Sequence, residues 1–131
     1  MSAPPPLHLR LGDLQLRILQ VLWARTEASV AQVHGDLLPT RPLAYTTVAT
    51  MLRKMEDRRL VQHREQGRAF LYSALVQASD VGSSLGHRMV EQVFEGSLTD
   101  AVSHLLRTRD VRREELDALE KLIREAKRRT R

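Results

Sequence analysis

The sequence predicts a mainly α-helical protein with one small β-hairpin, divided into an N-terminal part over residues 8–75 and a C-terminal helical part over residues 76–131. Three observations lead there. Apolar residues recur at helical spacing through most of the chain, one pair of short runs flanks Gly67, and the sequence beyond Leu75 carries helical periodicity alone.

The first helix is expected over Asp13–Arg25. Asp13, Arg17 and Gln20 form one narrow polar stripe, while Leu14, Leu16, Ile18, Leu19, Val21, Leu22 and Trp23 cover the rest, as in a central core helix. Gly12 offers no cap side chain, so Asp13 is a candidate to shift the cap by one residue. Ser29-Val-Ala-Gln32 is a capping-box pattern and starts a second helix over Val30–Leu38, ended by Pro39 and Pro42. The third helix is expected over Ala44–Arg58. In "LVQHREQGRAFLYS", the runs Leu60–Arg64 and Arg68–Ser73 flank Glu65-Gln66-Gly67, and Gly67 can supply the positive φ of a tight turn. Three helices and a hairpin within about 65 residues are the element order of a winged helix-turn-helix.

The later segments read as three helices. The first covers Ser79–Phe94, weakened by Gly82 and Gly86 and stopped by Gly96. Ser97-Leu-Thr-Asp100 caps the second, Leu98–Arg107. The last covers Arg112–Lys127, with Asp110 as a candidate cap. In it Leu116, Leu119, Ile123 and Ala126 follow near-heptad spacing with Leu122 beside them, and Val102, Leu105 and Leu106 mark the helix before. About 55 residues are too few to hide three amphipathic helices, so pairing of two chains is the expected remedy.

Composition narrows the function. A chain of 131 residues with 42% hydrophobic and 4% aromatic content can build a mostly aliphatic core. No apolar run is long enough to span a bilayer, and no membrane insertion is expected. The opening "MSAPPPLHLR" lacks the apolar centre of a signal peptide and reads as a short disordered lead, so a cytoplasmic protein is expected. Without Cys there is neither a disulfide nor a thiolate metal site, and the five His are scattered, so no metal and no cofactor are expected. No phosphate-cradling glycine loop or nucleophile elbow is present, and an enzyme is not expected.

The net charge of +5 is uneven: the residues up to Leu75 carry +4 and the rest +1. Such an excess is informative where it converges on one face. In "AYTTVATMLRK", Val48, Met51, Leu52 and Met55 form the expected buried stripe, whereas Thr46, Thr47, Thr50, Arg53 and Lys54 fall on the exposed side. Thr and Val are poor helix formers. A DNA major groove can use these residues, because a Thr hydroxyl donates or accepts, its methyl packs on a thymine methyl, and the helix amides attract phosphate. The alternative is that Thr46 or Thr47 caps the helix and the rest is a solvated face. Arg64 and Arg68 flank the hairpin turn, where a wing meets the phosphate backbone.

The stretches "LGDLQLRILQVLW", "AYTTVATMLRKMEDRRLV", "GRAFLYS" and "VFEGSLTDAVSHLL" with "ELDAL" together resemble the BlaI/MecI/CopY family of bacterial repressors, also called penicillinase repressors. The resemblance runs from Leu11 to Leu122. It implies an N-terminal winged helix that binds double-stranded operator DNA at inverted repeats, and a C-terminal domain that makes a homodimer. It also implies induction by a membrane sensor-protease that leads to cleavage in the dimerisation domain, near His104-Leu105, although the Asn-Phe pair of the staphylococcal type is missing. Thr46, Thr47 and Thr50 match groove-facing positions. Lys54 stands where relatives usually have Arg, and Arg59 where they carry a helix-ending Gly. The Cys-rich motif of copper-responsive members is absent. The rival reading is a winged-helix module for protein–protein assembly, in which Arg53, Lys54, Arg64 and Arg68 dock an acidic partner. The threonines favour DNA, since a partner groove would take Leu, Phe or Met there.

Overall fold

The computed structural model describes residues 11–130. The proline-rich lead and Arg131 lie outside them. The described residues divide into two compact units, the first ending at Arg88 and the second beginning at Met89.

In the first unit, α1 spans Asp13–Arg25. Its N-cap is Gly12 rather than Asp13, and the Gly12 N–H donates to Gln15 Oε1 at 3.0 Å, so a side chain from within the first turn supplies what the cap residue lacks. Asp13, freed from capping, binds Arg41 at 2.7 Å and holds the chain beyond α2 against α1. Thr26 leaves the helix at φ 72°, ψ −51°, a strained region for a β-branched residue. The chain then enters β1, Ala28–Ser29, a strand too short to leave a sequence signal.

Ser29 also caps α2, Val30–Leu37, through the expected capping box: its Oγ accepts from Gln32 N–H at 3.2 Å and its own N–H donates to Gln32 Oε1 at 2.9 Å. Helix α3, Tyr45–Asp57, ends in a Schellman arrangement. Arg59 N–H donates to Glu56 O and Leu60 N–H to Met55 O, both at 2.9 Å, with Arg59 at φ 61°. The left-handed position that a Gly would favour is thus occupied by Arg.

The hairpin strands are β2, Val61–Gln66, and β3, Ala69–Ala74. Gln66 pairs with Ala69, so the turn is Gly67-Arg68 rather than Glu65-Gln66-Gly67. Gly67, at φ 62°, holds the first central position, where a type II′ turn favours glycine. β1 completes a three-stranded antiparallel sheet ordered β1-β3-β2. The core between helices and sheet is aliphatic, centred on Ile18, Leu19 and Leu22 of α1, Val33 of α2, and Val48, Leu52 and Met55 of α3. Helix α4, Ala78–Arg88, adds Val81, which is 3% exposed. The Trp23 indole N–H donates to Val76 O at 2.9 Å. These two contacts carry the first unit past Leu75, where the sequence alone put its boundary.

The second unit opens with a π-helical turn, Met89–Val93, in place of the continuous helix expected to Phe94. Its backbone bonds stretch to Phe94 N–H on Met89 O, five residues back. Glu95 at φ 50° and Gly96 at φ 82° then reverse the chain. Ser97 caps α5, Leu98–Thr108, its Oγ accepting from Asp100 N–H at 3.1 Å. Helix α6 spans Arg113–Arg129 with Arg112, not Asp110, at its N-cap. Ala101 is the one buried residue among those described in this unit.

Candidate nucleic-acid interface

The N-cap of α3 is Ala44, and no side chain caps the helix. Thr46 and Thr47 therefore do not serve as caps, and together with Thr50 they stand exposed on the first turns. Thr46, Thr47, Thr50, Met51 and Lys54 line one surface hollow of about 280 Å³. Met51 departs from the expected buried stripe. It is half-buried, contributes its thioether to the hollow, and accepts a weak bond from Gln15 Nε2 at 3.5 Å. Its three stripe partners, Val48, Leu52 and Met55, are fully buried.

Arg53 Nη2 donates to Thr50 Oγ1 at 3.3 Å. The hydroxyl then acts as acceptor towards Arg53 and keeps its own hydrogen to donate outward. The Lys54 side chain makes no hydrogen bond or ion pair among the described residues. The hollow thus runs from the Thr46 and Thr47 hydroxyls at the positive end of the helix dipole, past the Thr50 hydroxyl and a thioether, to the Lys54 ammonium in the last turn, a set suited to a base edge beside a phosphate.

The approach to this helix is tied to α2 through His34. His34 Nε2 lies 2.7 Å from Leu43 O, and its ring meets Tyr45 edge-on at 6.0 Å. Tyr45 is 50% exposed at the start of α3, an aromatic beside the threonines that sequence reasoning passed over. Its signal was its place directly before Thr46. At the far end, Arg58 Nη1 donates to Gln15 Oε1 at 3.1 Å.

The two wing arginines differ. Arg68 lies in the turn, exposed and without a hydrogen bond or ion pair among the described residues. Arg64 lies on β2 and forks onto Glu27, with Nε to Oε2 at 3.0 Å and Nη2 to Oε1 at 2.6 Å. The hydrogen bonds from Arg64, aided by its charge, hold the Glu27 carboxyl below its usual range, and Glu27 raises the Arg64 guanidinium in return. On the other face of β2, His63 Nδ1 lies 2.7 Å from the Glu56 carboxylate of α3 and stacks on Phe70 at 4.3 Å.

In the second unit, Val102, Leu106, Leu116, Leu119 and Ile123 surround one apolar groove of about 550 Å³ between α5 and α6. Leu105 joins Val102, Leu106 and Leu119 around a neighbouring one of about 260 Å³. Val102, Leu105, Leu106 and Leu116 are each 38–40% exposed, and Leu122 and Ile123 are 59% and 55% exposed. Among the described residues, no helix is long and apolar enough to cross a membrane.

A sequence model described as "Penicillinase repressor" matches residues 11–125. The penicillinase repressor of Bacillus licheniformis is 24% identical over 120 residues, spanning 92% of this chain and 94% of that protein. The transcriptional regulator BlaI of Mycobacterium tuberculosis is 40% identical over a match that spans 56% of this chain and 65% of the relative. In structure, the DNA-binding domain of the repressor BlaI superposes with a TM-score of 0.50 at 25% identity, covering 54% of this chain and 87% of that one.

Proposed function

Because the chain belongs to the penicillinase repressor family, whose members are transcriptional repressors and not enzymes, we propose that it binds double-stranded operator DNA as a homodimer and represses transcription. The observation that carries the reading is the hollow on α3. Thr46, Thr47 and Thr50 converge there with Lys54 on the exposed face of a helix whose start has no side-chain cap. The helix enters the major groove, Thr46, Thr47 and Thr50 read base edges, Arg53 and Lys54 reach a guanine edge or the backbone, and the wing meets phosphate. No cofactor is needed.

The apolar grooves of α5 and α6 support the second half of the proposal. A unit that buries one residue by itself gains more by burying Val102, Leu105, Leu106, Leu116, Leu119 and Ile123 against a second copy, at roughly 25 cal/mol per Å² of apolar surface. A two-fold dimer presents two copies of α3, and its operator is an inverted repeat with half-sites about one helical turn apart. Induction through a membrane sensor-protease that leads to cleavage near His104-Leu105 requires local unwinding, since that bond lies within α5.

Mapping of genomic binding sites, followed by footprinting of the recovered duplexes, tests the reading. It expects protected inverted repeats near promoters. Binding that ignores sequence at every salt concentration contradicts it. Sedimentation of the full chain and of a fragment ending at Arg88 tests the assembly. The full chain is expected as a dimer and the fragment as a folded monomer with weak half-site affinity. A monomeric full chain at micromolar concentration overturns the dimer.

A further inference from the structure

We infer that Arg64 is a positioning residue of the wing and not one of its phosphate contacts: with Glu27 it fastens β2, across β3, to the segment that enters β1, and it leaves Arg68 as the backbone contact at the tip. The inference rests on the DNA-binding reading above for what the wing touches, but the brace itself does not.

Three features of the sheet support it. The first is donor use. A guanidinium has five N–H groups. The Arg64 Nε–H and one Nη2–H are taken by Glu27 at 3.0 and 2.6 Å, and Nη2 also donates to Gln66 Oε1 at 3.1 Å. The carboxylate thus fills one of the two bidentate edges of the guanidinium, and Gln66 takes the Nη2–H that the second edge would need, so no complete fork is left for a phosphate.

The second feature is register. Arg64 stands opposite Leu71 of β3, and Leu71 stands opposite Ser29 of β1. The fork therefore closes across the full width of the three-stranded sheet. It ties a hairpin strand to the residue that leads into a two-residue edge strand with little pairing of its own.

The third feature is direction. Side chains alternate along a strand. His63 turns towards α3, where it meets Glu56, so Arg64 turns to the opposite face of the sheet, away from the helix that reads DNA. Successive residues of β2 thus anchor the wing on both faces, one to the reading helix and one to the segment that enters β1. Arg68 is two residues beyond Gln66, in the turn, exposed and without a partner among the described residues.

The test uses the full chain with R68Q, R64Q, R64K, E27Q and the E27Q/R64Q double variant. Binding to random-sequence duplex is titrated against salt, and amide exchange of the hairpin is measured without DNA. R68Q should lower the slope of log affinity against log salt by about one unit, because one phosphate contact is lost. R64Q, R64K and E27Q should leave the slope unchanged. Each should speed hairpin exchange by a similar factor of about two to five, with the double variant no worse than either single. R64K is decisive: it keeps the charge and loses the fork, so a positioning role makes it behave like R64Q.

A slope lowered by R64Q as much as by R68Q overturns the inference. So does an affinity raised by E27Q, which would make Glu27 a competitor that DNA displaces. Unchanged hairpin exchange in the variants also overturns it. If the unaltered chain failed to bind duplex at all, the DNA-binding reading would fall, and the exchange measurements would still decide the brace.

Discussion

The His63 imidazole and the Glu56 carboxylate meet at 2.7 Å, and the His63 N–H donates to the same carboxylate at 3.1 Å, so β2 and α3 share one polar joint. Both side chains are about 30% exposed, and Phe70 stacks on the imidazole. The joint fixes the angle between the two elements expected to touch DNA. H63A should cost about 1–2 kcal/mol of stability, and E56A a similar amount. Read in urea by the fluorescence of the single Trp23, a double-mutant cycle should return a coupling of about 0.5–1 kcal/mol. Additive losses would show that the two residues act separately.

The threonines of α3 should trade stability for reading. Since no side chain caps the helix, T46A, T47A and T50A remove poor helix formers without removing a cap. Each should leave stability unchanged or raise it by a few tenths of a kcal/mol. On the preferred operator each should cost about 1–3 kcal/mol of binding and relax preference at one or two base pairs. Melting curves and competition binding check the two halves. A loss of stability with unchanged specificity in all three variants contradicts the assignment.

Acid should weaken the first unit through two exposed pairs. Hydrogen bonds from Arg64 and Arg25 hold the carboxyls of Glu27 and Asp36 below their usual range. A carboxyl depressed in the folded state means that the unfolded chain takes up protons first as pH falls. The contribution is complete above the unfolded values, at about pH 4, and is lost as pH falls through the lower folded values. Urea midpoints should therefore hold above about pH 5 and drop below about pH 4, and the drop should be shallower in an R25Q/R64Q variant. Parallel curves for the two proteins would remove these pairs from the account.

Arg59 sits at φ 61°, where a side chain costs about 1–2 kcal/mol relative to glycine. Glycine adds freedom to the unfolded chain worth about 0.4–1 kcal/mol. R59G should stabilise the protein by about 0.5–1 kcal/mol, whereas R59A should not, because it keeps the Cβ. Equal effects of the two would place the gain in the side chain's charge rather than in the backbone.

Much of this molecule was legible because its signals are local. The Ser29–Gln32 capping box, the spacing of Val48, Leu52 and Met55, Gly67 in its turn, Gly96 after the π-helical turn and Ser97 before α5 each act within a few residues, so the sequence determined where the helices and the hairpin lie. It also determined which residues share the exposed face of α3, because helical period alone separates Thr46, Thr47, Thr50, Arg53 and Lys54 from the core. The tertiary structure decided what depends on residues far apart. Ala28–Ser29 becomes a strand only by pairing with Tyr72 and Leu71. Val81 and the Trp23–Val76 bond extend the first unit through α4. Met51 packs only partly against the core and lends its thioether to the hollow, where Gln15 of α1 meets it. Two wing arginines that look equivalent along the chain part ways because Glu27, 37 residues before Arg64, fills the guanidinium fork of one of them. Periodicity constrains neighbours within a turn or a strand; a partner brought in by the sheet is fixed only once the chain has folded around its core.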